Sequence, residues 1–245
     1  MKYTTIYSRI IGLFSVLILL HLSSIAQTSN TSFDVVVYGG TSAGVIAAIQ
    51  AKKMGKTVIL LEPGDRLGGL TTGGLGQTDI GNKQVIGGLS REFYNRVAKK
   101  YQDPKNWKWQ KREEYKSGGQ SITKDGEQSM WTFEPSMALE IYEDMIREHS
   151  VSVKYNERLD LNSEMKLNAG KIQSIMMESG NSFSGKMFID ATYEGDLMAL
   201  SGVSYAVGRE SNDQYGETLN GVQAALGKHH QFPDGVDPYK IQGDS

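Results

Sequence analysis

Two short apolar runs flank an Ala- and Ile-rich stretch near the beginning of the chain. Residues 34–38 read DVVVY and residues 57–61 read TVILL. Continuous apolar runs of this length are typical of strands that are buried in a parallel sheet. The stretch between them, 42–54, predicts a helix packed closely on that sheet, and Gly55 ends it as a C-terminal glycine does. Residues 33–62 are therefore predicted to form a compact βαβ unit.

The pattern that follows predicts further helices and strands, joined by two irregular segments. The predicted elements are helices at Ser90–Tyr101 and Ser136–His149, strands at Val151–Tyr155 and Ser184–Ala191, and a β-meander over Asp160–Met177 that turns at Asn168-Ala169-Gly170. Gly64–Gly88 is rich in Gly and Thr and predicts a long ordered or functional loop. Asp103–Gln128 is polar and is expected to be a mobile excursion or part of a substrate cap. Trp107 and Trp109 favour structural anchoring of that segment, and stacking on a sugar ring is the alternative.

The first residues have the features of an export signal. Lys2 and Arg9 supply positive charge, the apolar run 10–20 follows, and 24–26 places small residues where a signal peptidase cleaves. The apolar run is too short to span a bilayer. We therefore expect cleavage before Gln27, a polar linker over 27–32, and a periplasmic or secreted protein without a stable membrane anchor; an uncleaved anchor is the alternative.

Composition excludes several classes of partner and site. The chain has 245 residues, a formal net charge of −2 and 22% charged residues, so nothing points to nucleic acid or to an anionic membrane as a partner. It contains no Cys, which excludes disulfides, a thiol redox pair and thiolate ligands for zinc or iron–sulfur clusters. No metal site is expected, and the oligomeric state is left open.

A glycine-rich turn lies between the first predicted strand and helix. It reads Gly39-Gly40-Thr41-Ser42-Ala43-Gly44, and in this position it would bring a dinucleotide pyrophosphate to the helix N-terminal amides. Thr41 stands where the usual G-x-G-x-x-G pattern has its middle glycine, so its side chain restricts backbone approach, although Gly40 beside it compensates. Such strings also arise by chance in glycine-rich loops.

An acidic residue and a second glycine pair strengthen the prediction. Glu62, followed by Pro63, ends the second strand at the place where a carboxylate accepts hydrogen bonds from a ribose hydroxyl. An acid there disfavours the 2′-phosphate of NADP. The doublet Gly68-Gly69 follows closely, within RLGGLTT (66–72), and resembles the second fingerprint of FAD-binding proteins. These features together favour FAD over NAD.

Several motifs now resemble those of a known family. They are YGGTSAG (38–44), LEPG (61–64) with LGG (67–69), and FIDATYEGDL (188–197), together with GGL (87–89), REFY (91–94), FEP (133–135), GVSY (202–205) and GRE (208–210). The chain is similar, over nearly all of its mature length, to the bacterial FAD-dependent oxidoreductase family. Its members are often labelled xanthan lyase-like and are related to the flavoprotein part of heterodisulfide reductase.

The resemblance implies an α/β fold: an FAD-binding Rossmann fold of glutathione-reductase type, with a β-meander and an inserted, incomplete substrate region. We expect this domain over 33–245, with the insertion at about 70–132 and a C-terminal part missing from the sequence. The expected cofactor-binding residues are Gly39, Gly40, Thr41, Ser42, Ala43, Gly44, Glu62, Pro63, Gly68, Gly69, Ala191 and Thr192. The iron–sulfur clusters of the relatives do not carry over, because their Cys ligands are absent.

Weaker candidates lie elsewhere. Asp190, Glu194 and Asp196 lie at the end of a predicted strand, where they are expected to face a ligand or to begin a helix at Gly195-Asp196, and the two interpretations are compatible. The candidates for the flavin or substrate face are Thr71, Thr72, Asp79 and Arg209, while His229-His230 is more typical of a solvated tail. Arg209 would hold an anionic substrate or an internal carboxylate.

The predicted function is hydride transfer between flavin and a small-molecule or carbohydrate-related substrate. The alternatives are a non-redox carbohydrate lyase or sugar-binding protein, and an inactive nucleotide-binding fragment. A polysaccharide lyase needs a Tyr or His base and a group that neutralises a uronate, and the sequence does not supply a recognisable set. No catalytic residue is assigned.

Overall fold

The computed structural model describes residues 32–77, 81–115, 128–218, 220–221 and 236. The strands are β1 (Ser32–Tyr38), β2 (Val58–Leu61), β3 (Ser152–Lys154), β4 (Lys166–Asn168), β5 (Lys171–Met176) and β6 (Ser182–Asp190). The helices are α1 (Ser42–Lys53), α2 (Leu70–Gly73), α3 (Gly88–Lys100), α4 (Pro135–Glu148), α5 (Asp196–Leu200) and α6 (Asn212–Tyr215). Short 3₁₀ turns lie at Lys83–Val85, Pro104–Asn106 and Arg112–Glu114.

The strands form one mixed sheet of six, in the order β3-β2-β1-β6-β5-β4. β1 pairs in parallel with β2 and with β6, and β2 pairs in parallel with β3. The meander strands β4 and β5 continue the sheet from β6 in antiparallel pairing. Tyr38 is in register with both Leu61 and Asp190, so β1, β2 and β6 end at the same edge of the sheet.

Side-chain alternation along β1 sends its two faces into two different cores. Val37 packs with α1, α3 and α4, in a cluster that includes Leu60 of β2. Val36 and Tyr38 point the other way and pack against meander residues such as Ile175. The parallel strands are therefore covered by helices on one face and by the meander on the other, which explains why β1 and β2 carry continuous apolar runs.

The predicted βαβ unit is confirmed, and so are the later elements with shifted ends. The helix predicted from Ser90 begins at Gly88, and the amide of Arg91 donates a hydrogen bond to Gly87 O. An apolar pattern does not indicate such backbone bonds, so it did not predict the first turn of this helix. The meander begins at Lys166 rather than at Asp160, and it turns at Ala169 and Gly170, which both have positive φ.

Two irregular segments contain more structure than the sequence indicated. Gly64–Gly88 includes the one-turn helix α2 and a 3₁₀ turn, and the described part of Asp103–Gln128, residues 103–115, includes two more. The chain divides into two compact units, residues 1–201 and 202–245. Within the ranges that the structure describes, none of the helices combines the length and the apolar character needed to cross a membrane.

Candidate functional site

Three loops meet at the carboxyl edge of the parallel strands. The loop after β1 is the turn Gly39–Thr41, the loop after β2 begins at Glu62, and the loop after β6 begins at Ala191. In open α/β sheets, ligands bind at this edge, outside the ends of the strands. The register of β1 with its two neighbours places the three loops side by side.

The first glycine turn is shaped by close backbone contacts. Gly39 has a φ of +97°, and a Cβ at Gly44 would lie only 1.9 Å from the carbonyl oxygen of Gly39. Both positions therefore require glycine, the first for the turn and the second for the approach of α1 to the strand. Thr41, the departure from the usual pattern, has an ordinary extended backbone with φ −62° and needs no glycine.

Thr41 instead caps the helix. Its hydroxyl accepts a hydrogen bond from the amide of Gly44 at 3.3 Å and donates one to Ala191 O at 2.7 Å. The cap thus joins the first turn to the loop after β6. Among the described residues, the amides of Ser42 and Ala43 donate to no protein group, and they form the positive end of a helix of 12 residues.

The carboxylate of Glu62 lies between the two glycine-rich loops. Its Oε2 accepts from the amide of Gly40 and its Oε1 accepts from the amide of Gly64, both at 2.7 Å. A carboxylate has about four acceptor positions in all. Two positions therefore remain for hydroxyl donors of a ligand.

The second glycine loop is bound directly to the first. The amide of Gly68 donates to Gly40 O at 2.7 Å, and the hydroxyl of Ser42 donates to Gly68 O at 3.0 Å. The hydroxyls of Ser42 and Thr71 are also hydrogen-bonded, at 2.7 Å. Thr72 is buried and donates to Leu67 O, so both threonines shape this loop from within.

Tyr193, which the sequence did not single out, joins the second glycine loop to the loop after β6. Its hydroxyl accepts a hydrogen bond from the amide of Leu70 at 2.8 Å. It also lies over Gly69, where a Cβ would come within 2.2 Å of the hydroxyl oxygen, and the φ of Gly69 is +53°. Gly69 is therefore required both by its backbone and by this contact.

The three loops enclose a groove with a volume of about 480 Å³, within the ~300–1,000 Å³ that ligand sites usually occupy. Its lining includes Arg66 and Arg158 as well as four acidic residues: Glu62, Glu178, Glu194 and Asp196. The guanidinium of Arg66 donates to Thr72 O at 3.2 Å, and that of Arg158 is 3.8 Å from the Glu178 carboxylate. The groove thus offers two cations to an anionic ligand, among four acidic side chains.

The buried phenol of Tyr142 supports the groove from the helix side. Its burial raises the pKa of the phenol to about 12, and hydrogen bonding to Ser42 acts in the opposite direction. Tyr142 therefore stays neutral at physiological pH. As a neutral hydroxyl it extends the hydrogen-bonded set that contains Ser42 and Thr71.

The structure brings all of the predicted cofactor residues to this edge of the sheet, but only some of them line the groove. Those that line the groove are Gly39, Thr41, Glu62, Pro63, Gly69 and Thr192, while Gly40, Ser42, Ala43, Gly44, Gly68 and Ala191 do not line it. The sequence missed the lining residues Tyr38, Arg66, Arg158 and Tyr193. Tyr38, Arg66 and Tyr193 lie within the quoted motifs, whereas Arg158 lies between β3 and β4 and has no local signal.

The weaker candidates have different outcomes. Asp190 accepts bonds from Thr192 and from the amide of Met198, so its carboxylate holds the loop, and α5 begins at Asp196 after Gly195, as the helix-start alternative predicts. Asp79 and His229-His230 lie outside the described residues. Arg209 lies in the second unit and is described only within it.

The two predicted anchoring tryptophans differ. The indole Nε1 of Trp107 donates to Tyr101 O at 2.9 Å, which confirms the anchoring interpretation for this residue. Trp109 is 84% exposed, so anchoring is wrong for its side chain. Trp131, which no sequence pattern singled out, is fully buried beneath Arg91.

A family model described as FAD dependent oxidoreductase matches residues 34–240. The chain belongs to this family. Its cofactor is FAD, and the sequence prediction of an FAD-dependent oxidoreductase is confirmed at this level. The Rossmann-type FAD-binding fold is confirmed as well, with β1, α1 and β2 forming its first unit. None of the curated proteins matches this flavoprotein.

Solved flavoprotein structures are similar to the chain. L-proline dehydrogenase from P. horikoshii is 13% identical, with 72% of this chain and 57% of that chain covered and a TM-score of 0.47. The flavin-dependent brominase Bmp2 is 17% identical, with coverages of 74% and 43% and a TM-score of 0.46. A flavin-containing monooxygenase from Stenotrophomonas maltophilia is 15% identical, with coverages of 66% and 38% and a TM-score of 0.39. The chain thus spans well under half of the length of that monooxygenase.

Proposed function

We propose that the groove binds the ADP part of FAD and that the protein oxidises or reduces a small-molecule or carbohydrate-related substrate. The observation that supports this most strongly is the convergence of Glu62 and both glycine loops on one groove. Two acceptor positions of the Glu62 carboxylate suit the two hydroxyls of the adenosine ribose. The unpartnered amides of Ser42 and Ala43 suit a pyrophosphate.

The residues present fit the cofactor in shape as well as in chemistry. Gly39, Gly40 and Gly69 let the three loops lie close together, because a Cβ at each would come within 3 Å of an atom of a neighbouring loop. Arg66 and Arg158 add positive charge to the lining of the groove. When bound, FAD supplies an acceptor for a hydride from a substrate C–H bond. The residues of the chain bind FAD, orient it and balance its negative charge.

The finer parts of the proposal rest on sequence. The motifs quoted above support a relation to the xanthan lyase-like branch and to the flavoprotein part of heterodisulfide reductase. The pattern of 1–26 supports export, and these residues lie outside the described part of the chain. We keep the non-redox lyase, the sugar-binding protein and the inactive nucleotide-binding fragment as alternatives.

Spectroscopy of the purified protein separates these alternatives. The redox proposal requires a bound flavin, visible in the absorption spectrum, that an electron-donating substrate bleaches without oxygen. A protein that carries FAD but is bleached by none of a broad panel of alcohols, amines and sugars, while dithionite bleaches it, would favour the inactive fragment. A colourless protein that takes up no FAD would contradict the proposal outright.

A further inference from the structure

A second cavity, of about 250 Å³, shares no lining residue with the cofactor groove. It lies between the end of α3 and the segment 130–134. Its apolar walls are largely aromatic and include Tyr101, Trp107, Trp109 and Tyr115. Its volume is below the ~300–1,000 Å³ of sites for larger ligands, so it suits a single ring.

One aromatic wall is held rigidly by the protein itself. The ring centroid of Trp107 lies 4.8 Å from that of Tyr101 and 5.4 Å from that of Tyr115, distances typical of favourable aromatic pairs. The hydrogen bond from Trp107 to Tyr101 O fixes its rotation. This wall is therefore held by contacts within the protein.

Trp109, unlike Trp107, is not held by the part of the protein that the structure describes. Its indole lines the same cavity and yet stays almost fully exposed. A large aromatic face in water gains free energy when an apolar surface covers it. The C–H face of a pyranose ring is such a surface, and the hydroxyls around that ring would reach polar groups at the cavity wall.

Polar groups of the required kind line the cavity. The hydroxyl of Thr132 is buried and has no hydrogen-bond partner in the described structure. A buried polar atom without a partner is unfavourable by about 1–3 kcal/mol, and rotation of the Thr132 side chain towards the cavity would let a ligand hydroxyl supply the missing bond. Gln110 and Glu134 add an amide and a carboxylate to the lining.

The charge of the lining selects among sugars. Glu134 is acidic, and none of the described lining residues is basic. An anionic sugar such as a uronate would meet the carboxylate without a compensating cation. A neutral sugar meets only hydrogen-bonding groups and aromatic rings.

We propose that this cavity is a binding subsite for one neutral pyranose ring, stacked on Trp109 and hydrogen-bonded to Thr132 and Glu134. The proposal does not depend on FAD, because the two sites share no residue.

The test is a titration of the purified full chain by calorimetry and by tryptophan fluorescence, with cellobiose, glucuronate and phenol as probes. We expect cellobiose to bind with a Kd on the order of 1 mM, as for a single small subsite, and glucuronate to bind several-fold more weakly. Trp109→Ala should weaken cellobiose binding by about two- to tenfold, the loss expected for one aromatic contact. The matched control is Lys108→Ala, an exposed neighbour that does not line the cavity, and it should leave the Kd unchanged.

A second variant distinguishes binding from structure. Thr132→Val removes the unpartnered hydroxyl at nearly constant shape, so it should leave the Tm equal or higher in any case. Weaker cellobiose binding by this stable variant would support a role of the hydroxyl, and unchanged binding would overturn that contact. Binding of phenol without cellobiose, or equal binding by the Trp109→Ala variant, would overturn the sugar assignment. Both results can be read from the FAD-free protein, so failure here is distinct from failure of the redox proposal.

Discussion

Replacement of Glu62 would test the proposed cofactor site most directly, because its carboxylate has two separable tasks. One is internal: it accepts hydrogen bonds from the amides of Gly40 and Gly64 at 2.7 Å. The other is the proposed bond to the adenosine ribose. Glu62→Ala removes both, whereas Glu62→Gln keeps one acceptor oxygen and turns an NH2 group towards a backbone amide.

Loss of the ribose contact and loss of the internal hydrogen bonds should lower two different quantities, the FAD affinity and the free energy of unfolding. Loss of a charge-assisted bond to ribose should lower FAD affinity by about 1.5–3 kcal/mol, or roughly ten- to a hundredfold. Loss of the internal bonds should lower the free energy of unfolding of the FAD-free protein by about 1–3 kcal/mol, because water replaces the carboxylate only at partly buried amides. Glu62→Gln should fall between the wild type and Glu62→Ala in both measurements.

The assay is a titration of FAD-free protein with FAD, followed by flavin fluorescence, together with thermal unfolding of the same samples. Glu178→Gln is the matched control: it removes a carboxylate from the same groove, but one that is 58% exposed and 3.8 Å from its partner Arg158. Exposed pairs of this kind contribute ~0–1 kcal/mol, so FAD affinity should change by no more than a few-fold. An Ala variant that melts earlier but binds FAD with wild-type affinity would refute the ribose contact and leave Glu62 with its internal task alone.

Four further predictions concern the glycine turn, the buried Tyr142, the release of flavin and the start of the chain. Gly44→Ala places a methyl group against the carbonyl oxygen of Gly39, so we expect a large fall in Tm or insoluble protein, and unchanged calorimetry would contradict the tight helix–strand packing. The pKa of Tyr142 is raised to about 12 in the folded state, so the stability contributed by its neutral phenol is complete below about pH 10 and is lost as the pH rises to about 12. Between these pH values, the free energy of unfolding should therefore fall less in Tyr142→Phe than in the wild type. Equal losses in the two proteins would contradict the raised pKa. Denaturation should release the flavin, because the described groove lining contains neither His nor Cys, and flavin that precipitates with the chain would overturn this. Mass spectrometry of protein from its native host should find Gln27 at the N-terminus, and an intact Met1 would contradict export.

The βαβ unit was predictable because its signals are local. A buried parallel strand requires a continuous apolar run, as in 34–38, and a tight turn into a helix requires glycine at Gly39 and Gly44. The acid at the end of the second strand follows the same logic, because strand register brings it to the same edge. Elements whose sequences are dictated by backbone geometry can therefore be read from the sequence alone.

Other parts of the site depend on contacts between segments that are distant along the chain. Arg158 reaches the groove from the segment between β3 and β4, 92 positions after Arg66, and no local pattern marks it. Trp107 and Trp109 have the same residue type and similar surroundings in sequence, yet one is held by Tyr101 and the other is exposed. Such differences arise from packing, which composition and periodicity do not specify.

The departure at Thr41 shows how one residue can replace a consensus glycine without loss of the site. A glycine there would leave the amide of Gly44 uncapped and the carbonyl of Ala191 without this donor. The threonine hydroxyl satisfies both, and with the bonds from Gly68 to Gly40 and from Leu70 to Tyr193 it joins all three loops through contacts within the protein. Loops that are already ordered lose little conformational entropy on binding, so more of the interaction free energy is retained as affinity. The side chain at the middle glycine position therefore caps the amide of Gly44 and binds the neighbouring loop, and it leaves the amides of Ser42 and Ala43 at the beginning of the helix for a ligand.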